Sequence, residues 1–199
     1  MKKLVVVMLL AVALVVPAFA VEKSNIDIVG KLGFSVNPVT NYCNGYDWYS
    51  NSYDRNPALS IAVEGLYSVL PELPIGLGVN YQFDSKEKGL KDYEEGATNI
   101  YLTAKPTAKI DSKIFTGIYA IAQIGYGLNR ISGKGWNDSE IDSNGLYWGL
   151  GAGTEIMNDF IFEFIFSTNY WSYKIKGYST KYDVTSTALT LFAGYKFNI

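Results

Sequence analysis

The chain has 199 residues, a formal net charge of −2, no histidine and a single cysteine. The absence of histidine excludes Ser/His and Cys/His catalysis and histidine-ligated metal sites. Cys43 has no partner for an internal disulfide, so we expect a free thiol without a role, and no cluster of Lys and Arg predicts nucleic-acid binding.

The first residues predict a secretory signal peptide. Two lysines precede an apolar run over residues 4–16, and Ala18 and Ala20 form a small-x-small cleavage site. The run is too short to span a bilayer, which disfavours an N-terminal membrane anchor, the alternative interpretation. We therefore expect residues 1–20 to be cleaved and residues 21–199 to form one domain.

The remaining chain alternates apolar and polar residues with the two-residue period of β-strands. It is rich in glycine and aromatic residues, with 19 Gly, 16 Tyr, 10 Phe and 4 Trp, and it contains no apolar stretch long enough for a transmembrane helix. The alternation predicts eight strands over residues 25–37, 58–69, 75–83, 98–109, 114–128, 144–156, 160–173 and 187–199. We expect Pro106 to cause a bulge or a local break in pairing, since proline cannot donate to a ladder.

One face of each predicted strand is apolar and nearly free of charge. In the seventh strand this face carries Phe160, Phe162, Phe164 and Phe166. The opposite faces carry glycine, polar residues and the charged residues Asp27, Lys31, Glu64, Lys105, Glu155, Glu163 and Lys196. A soluble barrel such as a lipocalin, the alternative, would expose the phenylalanines to water. The partition therefore favours an outer face in contact with lipid.

The connections between the predicted strands alternate in length. Short turns near residues 70, 111 and 158 alternate with longer, irregular segments over residues 38–57, 84–96, 129–143 and 174–181. Outer-membrane barrels combine short periplasmic turns with long extracellular loops and an even number of strands. We predict an all-β fold, an eight-stranded antiparallel up-and-down transmembrane β-barrel in the bacterial outer membrane.

The mature chain resembles the small OmpA/OmpX-like outer-membrane barrel family in its signal peptide, its eight amphipathic strands, its loop asymmetry and its C-terminal strand. Members of that family typically end on Phe or Trp, which the outer-membrane assembly machinery reads. This chain ends on Ile199, with Tyr195 and Phe197 on the same face, so the resemblance implies that these three residues carry the assembly signal. It also implies contact with outer-membrane lipid and lipopolysaccharide.

Lipid-modifying barrel enzymes also resemble this fold, but they rely on a catalytic histidine that this chain lacks. We therefore expect no enzymatic activity, no cofactor and no metal.

The predicted lumen contains charges of both signs. An eight-stranded barrel has room inside only for side chains or one small ligand, and charges buried there have to be paired. We predict a lumen ion-pair network of Lys31, Glu64, Lys105, Glu155, Glu163 and Lys196, in which Lys31 and Lys196 meet Glu155 and Glu163. The alternatives are a narrow gated pore lined by the same residues and a pair of carboxylates for acid/base catalysis.

The predicted loops are the other candidate site. Aromatic side chains crowd the first loop, at Tyr46, Trp48, Tyr49 and Tyr53, and Trp136 lies in the third. Tyrosine and tryptophan are frequent in adaptable recognition surfaces, although these side chains can also pack the loops together over the mouth of the barrel.

Two functions remain open from the sequence. The first is a non-enzymatic structural or adhesin-like protein that acts through four extracellular loops on a host or other surface ligand. The second is a narrow, porin-like channel or carrier for small or hydrophobic solutes.

Overall fold

The computed structural model describes residues 26–44, 50–86, 88, 93–133, 144–174 and 181–199, and the predicted signal peptide lies outside them. Ten strand segments are present: β1 (Ile26–Asn44), β2 (Ser50–Asp54), β3 (Leu59–Leu70), β4 (Leu73–Lys86), β5 (Tyr93–Ala104), β6 (Thr107–Lys109), β7 (Phe115–Gly133), β8 (Asn144–Ile156), β9 (Phe160–Lys174) and β10 (Lys181–Asn198). Neighbouring segments pair antiparallel, and β10 also pairs with β1, which closes the sheet into a barrel. Within the described part of the chain, no helix is long and apolar enough to cross a membrane.

β2 and β3 together form one barrel strand. Both pair with β1 in a single register. Phe34 pairs with Leu59 of β3 and Val39 pairs with Asp54 of β2, so the two pairs are five residues apart on each side. The short interruption between β2 and β3 contains Pro57. β2 and β3 therefore count as one strand of the barrel and not as two.

β5 and β6 are joined in the same way around Pro106. β5 ends opposite Ala122 of β7 and β6 begins opposite Tyr119, so the register is kept and no residue is inserted. The Ala120 N–H donates to the Pro106 carbonyl at 3.1 Å, but proline has no N–H to donate in return. Of the two predicted outcomes, the structure has the local break. With both joins counted, the barrel has eight strands, as predicted.

The two faces of the barrel differ as the alternation predicts. On the outer face, the side chains of Phe160, Phe162 and Phe164 are each about half exposed, and Leu32 is 68% exposed. The lumen is filled by buried polar and charged side chains and by a small apolar cluster of Ala62, Tyr119, Ile121, Ile165 and Phe192. This is the inverse of a soluble barrel, whose apolar side chains line the interior.

The strands are longer at one end than predicted. The interpretation of residues 38–57 as too irregular for a strand is wrong over β2 and the second half of β1. β4, β5, β7, β9 and β10 likewise extend into segments predicted as loops. Beyond the apolar belt the outer face no longer has to be apolar, so the alternation fades while the backbone pairing continues.

Candidate functional site

Four charged side chains from separate barrel strands meet inside the lumen. Lys31 Nζ lies 2.5 Å from Glu64 Oε1 and 2.9 Å from Glu163 Oε2. Lys105 Nζ lies 2.5 Å from Glu64 Oε2 and 2.5 Å from Glu163 Oε1. All four residues are buried, so each carboxylate has two cations and each ammonium group has two anions. We call this closed, electrically neutral group the central cluster.

Tyrosine side chains support the central cluster. The Tyr101 hydroxyl donates to Glu64 Oε1 at 3.0 Å, and the Tyr119 hydroxyl donates to Glu163 Oε1 at 2.9 Å. Glycine makes room for these rings, because a Cβ on Gly153 would lie within 2.6 Å of the Tyr119 ring. The sequence pattern placed Tyr119 inward but gave it no role, although the inward glycines on the neighbouring strand indicate where a large ring is accommodated.

The other two residues of the predicted ion-pair network form a separate pair. Lys196 Nζ lies 2.8 Å from Glu155 Oε1 at the end of the barrel with the short turns, which we predict to be periplasmic, and both side chains are partly exposed there. The buried apolar cluster of Val29, Leu66 and Ile161 lies in the same end of the lumen. The six predicted residues therefore form two groups, in which Lys31 meets Glu163 and Lys196 meets Glu155.

A second buried charged group lies at the other end, towards the mouth that we predict to be extracellular. Glu95 Oε2 accepts a hydrogen bond from Thr40 (2.9 Å), Glu95 Oε1 accepts one from Ser186 (2.6 Å), and Arg55 lies 3.4 Å from Glu95 Oε1. Trp171 Nε1 donates to the Ser186 hydroxyl at 3.2 Å. We call these five residues the mouth cluster. The sequence pattern does not identify this cluster because it predicts a loop over residues 84–96, although Glu95, like Tyr101, lies on the inward face of its strand.

Between the two clusters the lumen carries side-chain amides with unused hydrogen-bonding capacity. Asn80 Oδ1, Asn99 Oδ1 and Asn169 Oδ1 are buried and have no hydrogen-bond partner among the described residues. Asn99 and Asn169 converge on Gly127, where a Cβ would lie 3.0 Å from Asn99 Oδ1. Such groups normally bind water in a folded protein. The lumen is therefore polar above the central cluster.

The sequence comparison places the chain in a known family. The family described as outer membrane protein beta-barrel domain matches residues 6–197. The chain belongs to this family. No curated protein sequence matches it.

Solved outer-membrane barrels have a similar fold. Neisserial surface protein A is 16% identical, covering 87% of this chain and 98% of its own, with a TM-score of 0.52. OprG from Pseudomonas aeruginosa is 12% identical, covering 89% and 98%, with a TM-score of 0.50. The outer membrane protein AlkL is 16% identical, covering 92% and 95%, with a TM-score of 0.54. These likenesses show the fold, and together with the family they place the protein in the bacterial outer membrane.

The outer-membrane location explains the aromatic residues at the strand ends of the outer face. Tyr67, Tyr126 and Tyr170 are about half exposed, as expected of side chains at the membrane–water interface. At the C-terminus, the rings of Tyr195 and Phe197 lie 4.7 Å apart, and the Ile199 N–H donates to the Ile26 carbonyl at 3.2 Å. The last residues therefore join β1 and complete the barrel.

Most of the candidate loop contacts of this outer-membrane barrel lie outside the described residues. These are Tyr46, Trp48, Tyr49 and Trp136. Tyr53 is described: it lies in β2, is half-buried and pairs with Thr40 of β1. Cys43 lies in β1, where its backbone pairs with Asp183 and Ser50. Across the described ranges, no group of three or more His, Cys, Asp and Glu residues is arranged to hold a metal ion.

Proposed function

We propose that this protein is a non-enzymatic outer-membrane barrel that is closed to solutes and acts through its extracellular segments as a structural or surface-binding protein. The observation that carries the proposal is the central cluster, in which two carboxylates and two ammonium groups bind one another across the lumen. Opening a path there would separate buried opposite charges, and such separation is costly in a poorly hydrated interior.

The extracellular side supports the second half of the proposal. β1 and β2 extend the barrel wall as a paired hairpin, and the mouth cluster connects Thr40 of β1 to Glu95 of β5 and Ser186 of β10. The sequence segment that connects β1 to β2 contains the aromatic residues Tyr46, Trp48 and Tyr49. Paired strands on both sides of an aromatic segment favour a role in recognition, because the protein then loses less conformational entropy when it binds a ligand.

Neisserial surface protein A, with its similar fold, is by its name a surface protein. We extend that description to this chain as part of the proposal, with lipopolysaccharide and lipid as its surroundings. Tyr195, Phe197 and Ile199 would be its signal to the assembly machinery, after cleavage of residues 1–20.

A second candidate function is a narrow channel or carrier. The unpartnered amide oxygens of Asn80, Asn99 and Asn169 favour it, since they leave a polar compartment above the central cluster. A cavity of about 20 Å3, lined in part by Lys105, Glu155 and Lys196, lies below the cluster. One charged layer would then separate two hydrated spaces.

Planar-bilayer recordings distinguish the two functions. We expect no discrete conductance steps from the purified, folded wild-type protein. Regular, ion-selective steps in the wild type would overturn the closed-barrel proposal and establish the channel.

Surface binding is tested separately, with whole cells. Cells that express the wild type should adhere better to a cultured epithelial layer than cells that express a variant with Tyr46→Ser, Trp48→Ser and Tyr49→Ser. Equal adhesion, at equal surface amounts of folded barrel, would reject these loop residues as the binding surface.

A further inference from the structure

A trough of about 770 Å3 lies on the outer surface of the barrel between β6 and β10. Most of its floor is formed by small side chains at outward positions, namely Pro106, Ala108, Ala120, Ala152 and Thr154. Ile118, which is 52% exposed, is the larger side chain of the floor and lies between Ala108 and Thr154. Ala120 lies directly opposite Ala152 in the pairing of β7 with β8, so the floor continues across neighbouring strands. Most other outward positions of the barrel carry larger side chains, which is why the surface is concave here.

A ridge of large side chains borders the floor. Phe162, Phe164 and Leu191 are each about half exposed and form one wall of the trough. Phe164 lies directly opposite Ala152 on β8 and opposite Leu191 on β10. The ridge and the floor therefore lie side by side at the same height on the barrel.

The floor and the ridge are apolar, and the side-chain hydroxyl in the floor, that of Thr154, already has a hydrogen-bond partner. The outward positions of the floor and the ridge carry no ionisable side chain, and the neighbouring Glu163 points into the lumen, where it binds Lys31 and Lys105. The Thr154 hydroxyl donates to the Gly117 carbonyl at 2.9 Å, within the same chain. Covering this face leaves no side-chain hydroxyl of the floor without a partner.

We propose that the floor and the ridge form the interface of a symmetric dimer of this protein in the membrane. All copies in the outer membrane have one orientation, so a symmetric pair is related by a twofold axis along the membrane normal. That rotation exchanges left and right on the facing surfaces but keeps height. The ridge of each copy therefore faces the floor of the other, and Phe164 of one copy enters the trough beside Ala152 of its partner.

The size of the surface is consistent with a stable pair. A half-exposed phenylalanine offers about 100 Å2 of accessible area. Phe160, Phe166 and Leu189 extend the ridge on the same face, so six such side chains supply roughly 600 Å2 per copy, to which the floor adds. A typical stable interface buries about 800 Å2 per partner. In lipid, association depends on close packing at small residues, and the floor provides them.

The main competing occupant is a phospholipid of the periplasmic leaflet, with an acyl chain in the trough. Lys109 and Lys113 lie near the periplasmic end, but Asp111 lies between them on the same turn and Asp159 on the next one. The local charge is balanced and offers no preference for an anionic headgroup. Shape and charge together favour the second copy.

The test uses full-length protein in lipid vesicles, with association measured by fluorescence energy transfer between labelled copies over a range of protein-to-lipid ratios. Ala152→Phe fills the floor and Phe164→Ala removes the ridge, and each should weaken association about tenfold or more. Val79→Phe introduces the same aromatic side chain at an outward position on β4, away from the trough, and should associate like the wild type. Heat-modifiable gel mobility verifies that every variant is folded.

A mixture of the two variants gives the decisive measurement. In a mixed pair, the filled floor of the Ala152→Phe chain faces the missing ridge of the Phe164→Ala chain, and the other half of the interface is wild type. Association should therefore recover in the mixture, although each variant alone associates poorly. A wild type that stays monomeric, an Ala152→Phe chain that associates normally, or a mixture without recovery would each overturn the proposal. So would native mass spectrometry of a wild-type monomer with a bound phospholipid that Ala152→Phe releases.

Discussion

Glu64 and Glu163 bind the same two ammonium groups, those of Lys31 and Lys105, although the two glutamates lie on barrel strands that do not pair with each other. Each carboxylate contacts both ammonium groups, and the two negative charges balance the two positive charges. The four residues connect four barrel strands across the lumen. Removing any one of their charges leaves an unbalanced charge there.

We predict that Glu64→Gln lowers the free energy of unfolding by about 3 kcal/mol or more, because it leaves two buried lysines with a single carboxylate. Adding Lys31→Met to Glu64→Gln restores neutrality, so the double variant should lose less than the sum of the single variants. Urea unfolding in lipid vesicles, followed by tryptophan fluorescence, measures these differences.

The control for this experiment is the exposed pair of Lys86 and Glu94, whose charged atoms lie 3.8 Å apart. Glu94→Gln should change the free energy of unfolding by less than about 1 kcal/mol, since exposed pairs contribute little. If Glu64→Gln costs no more than Glu94→Gln, the central cluster does not brace the barrel.

The mouth cluster leads to a local prediction. In the described part of the chain, Glu95 is the carboxylate that Arg55 contacts, and it also accepts hydrogen bonds from Thr40 and Ser186. Glu95→Ala should therefore loosen the extracellular ends of β1 and β2. We expect faster hydrogen exchange at the paired backbone amides of residues 39–43 and 50–54, with little change near the central cluster.

Glu155→Ala is the matched control for Glu95→Ala, because it removes a glutamate side chain from the other end of the same lumen. It should leave exchange at the extracellular ends unchanged. Similar exchange in both variants would contradict a role for Glu95 in holding the β1–β2 hairpin.

The sequence was sufficient for the eight strands and for the inward direction of the central charges. Lys31 and Glu64 could be placed inside because their neighbours in sequence, such as Leu32 and Val63, belong to the apolar face. That face has to be apolar over the whole thickness of the membrane, so the alternation there is strict. It was not sufficient for the mouth cluster, because above the membrane nothing requires the outer face to be apolar.

Which lysine meets which glutamate in the lumen could not be predicted, for a different reason. Which charges meet depends on the stagger of each strand against the next, and period-two alternation carries no information about it. In the structure, Lys31 lies opposite Ala62, which brings it close to Glu64 two residues further along β3. The choice of Glu155 rather than Glu163 by Lys196 likewise follows from the registers of β8, β9 and β10.

Glycine in the barrel wall offers a paired test of strand packing. A Cβ on Gly125 would collide with the backbone carbonyl of Ile100 on the neighbouring strand, whereas a Cβ on Gly30 would meet nothing within 4 Å. Gly125→Ala should therefore destabilise the barrel, because backbone cannot move aside as a flexible side chain does. Gly30→Ala should be neutral or slightly stabilising, since alanine restricts the unfolded chain. Equal unfolding midpoints in urea for the two variants would show that the wall adapts.

The turn between β8 and β9 contains two residues in the left-handed region, Met157 with φ 52° and Asn158 with φ 68°. Asparagine tolerates this conformation, but methionine is strained there by about 1 kcal/mol. Met157→Gly should therefore stabilise the barrel, although the greater freedom of glycine when unfolded offsets part of the gain. Asn158→Gly should have the smaller effect. A loss of stability in Met157→Gly, seen as a lower unfolding midpoint, would mean that the strain is absent.

The C-terminal residues allow recognition by the assembly machinery to be separated from stability. Phe197 is 55% exposed on the outer face, so Phe197→Ala removes few interactions within the barrel. We expect the purified variant to refold in detergent micelles as efficiently as the wild type, while the folded, heat-modifiable fraction in the outer membrane of expressing cells falls several-fold. Phe83→Ala, at an exposed position far from the C-terminus, should leave both quantities unchanged. If Phe197→Ala lowers refolding and cellular assembly to the same extent, Phe197 contributes to stability and not to recognition by the machinery.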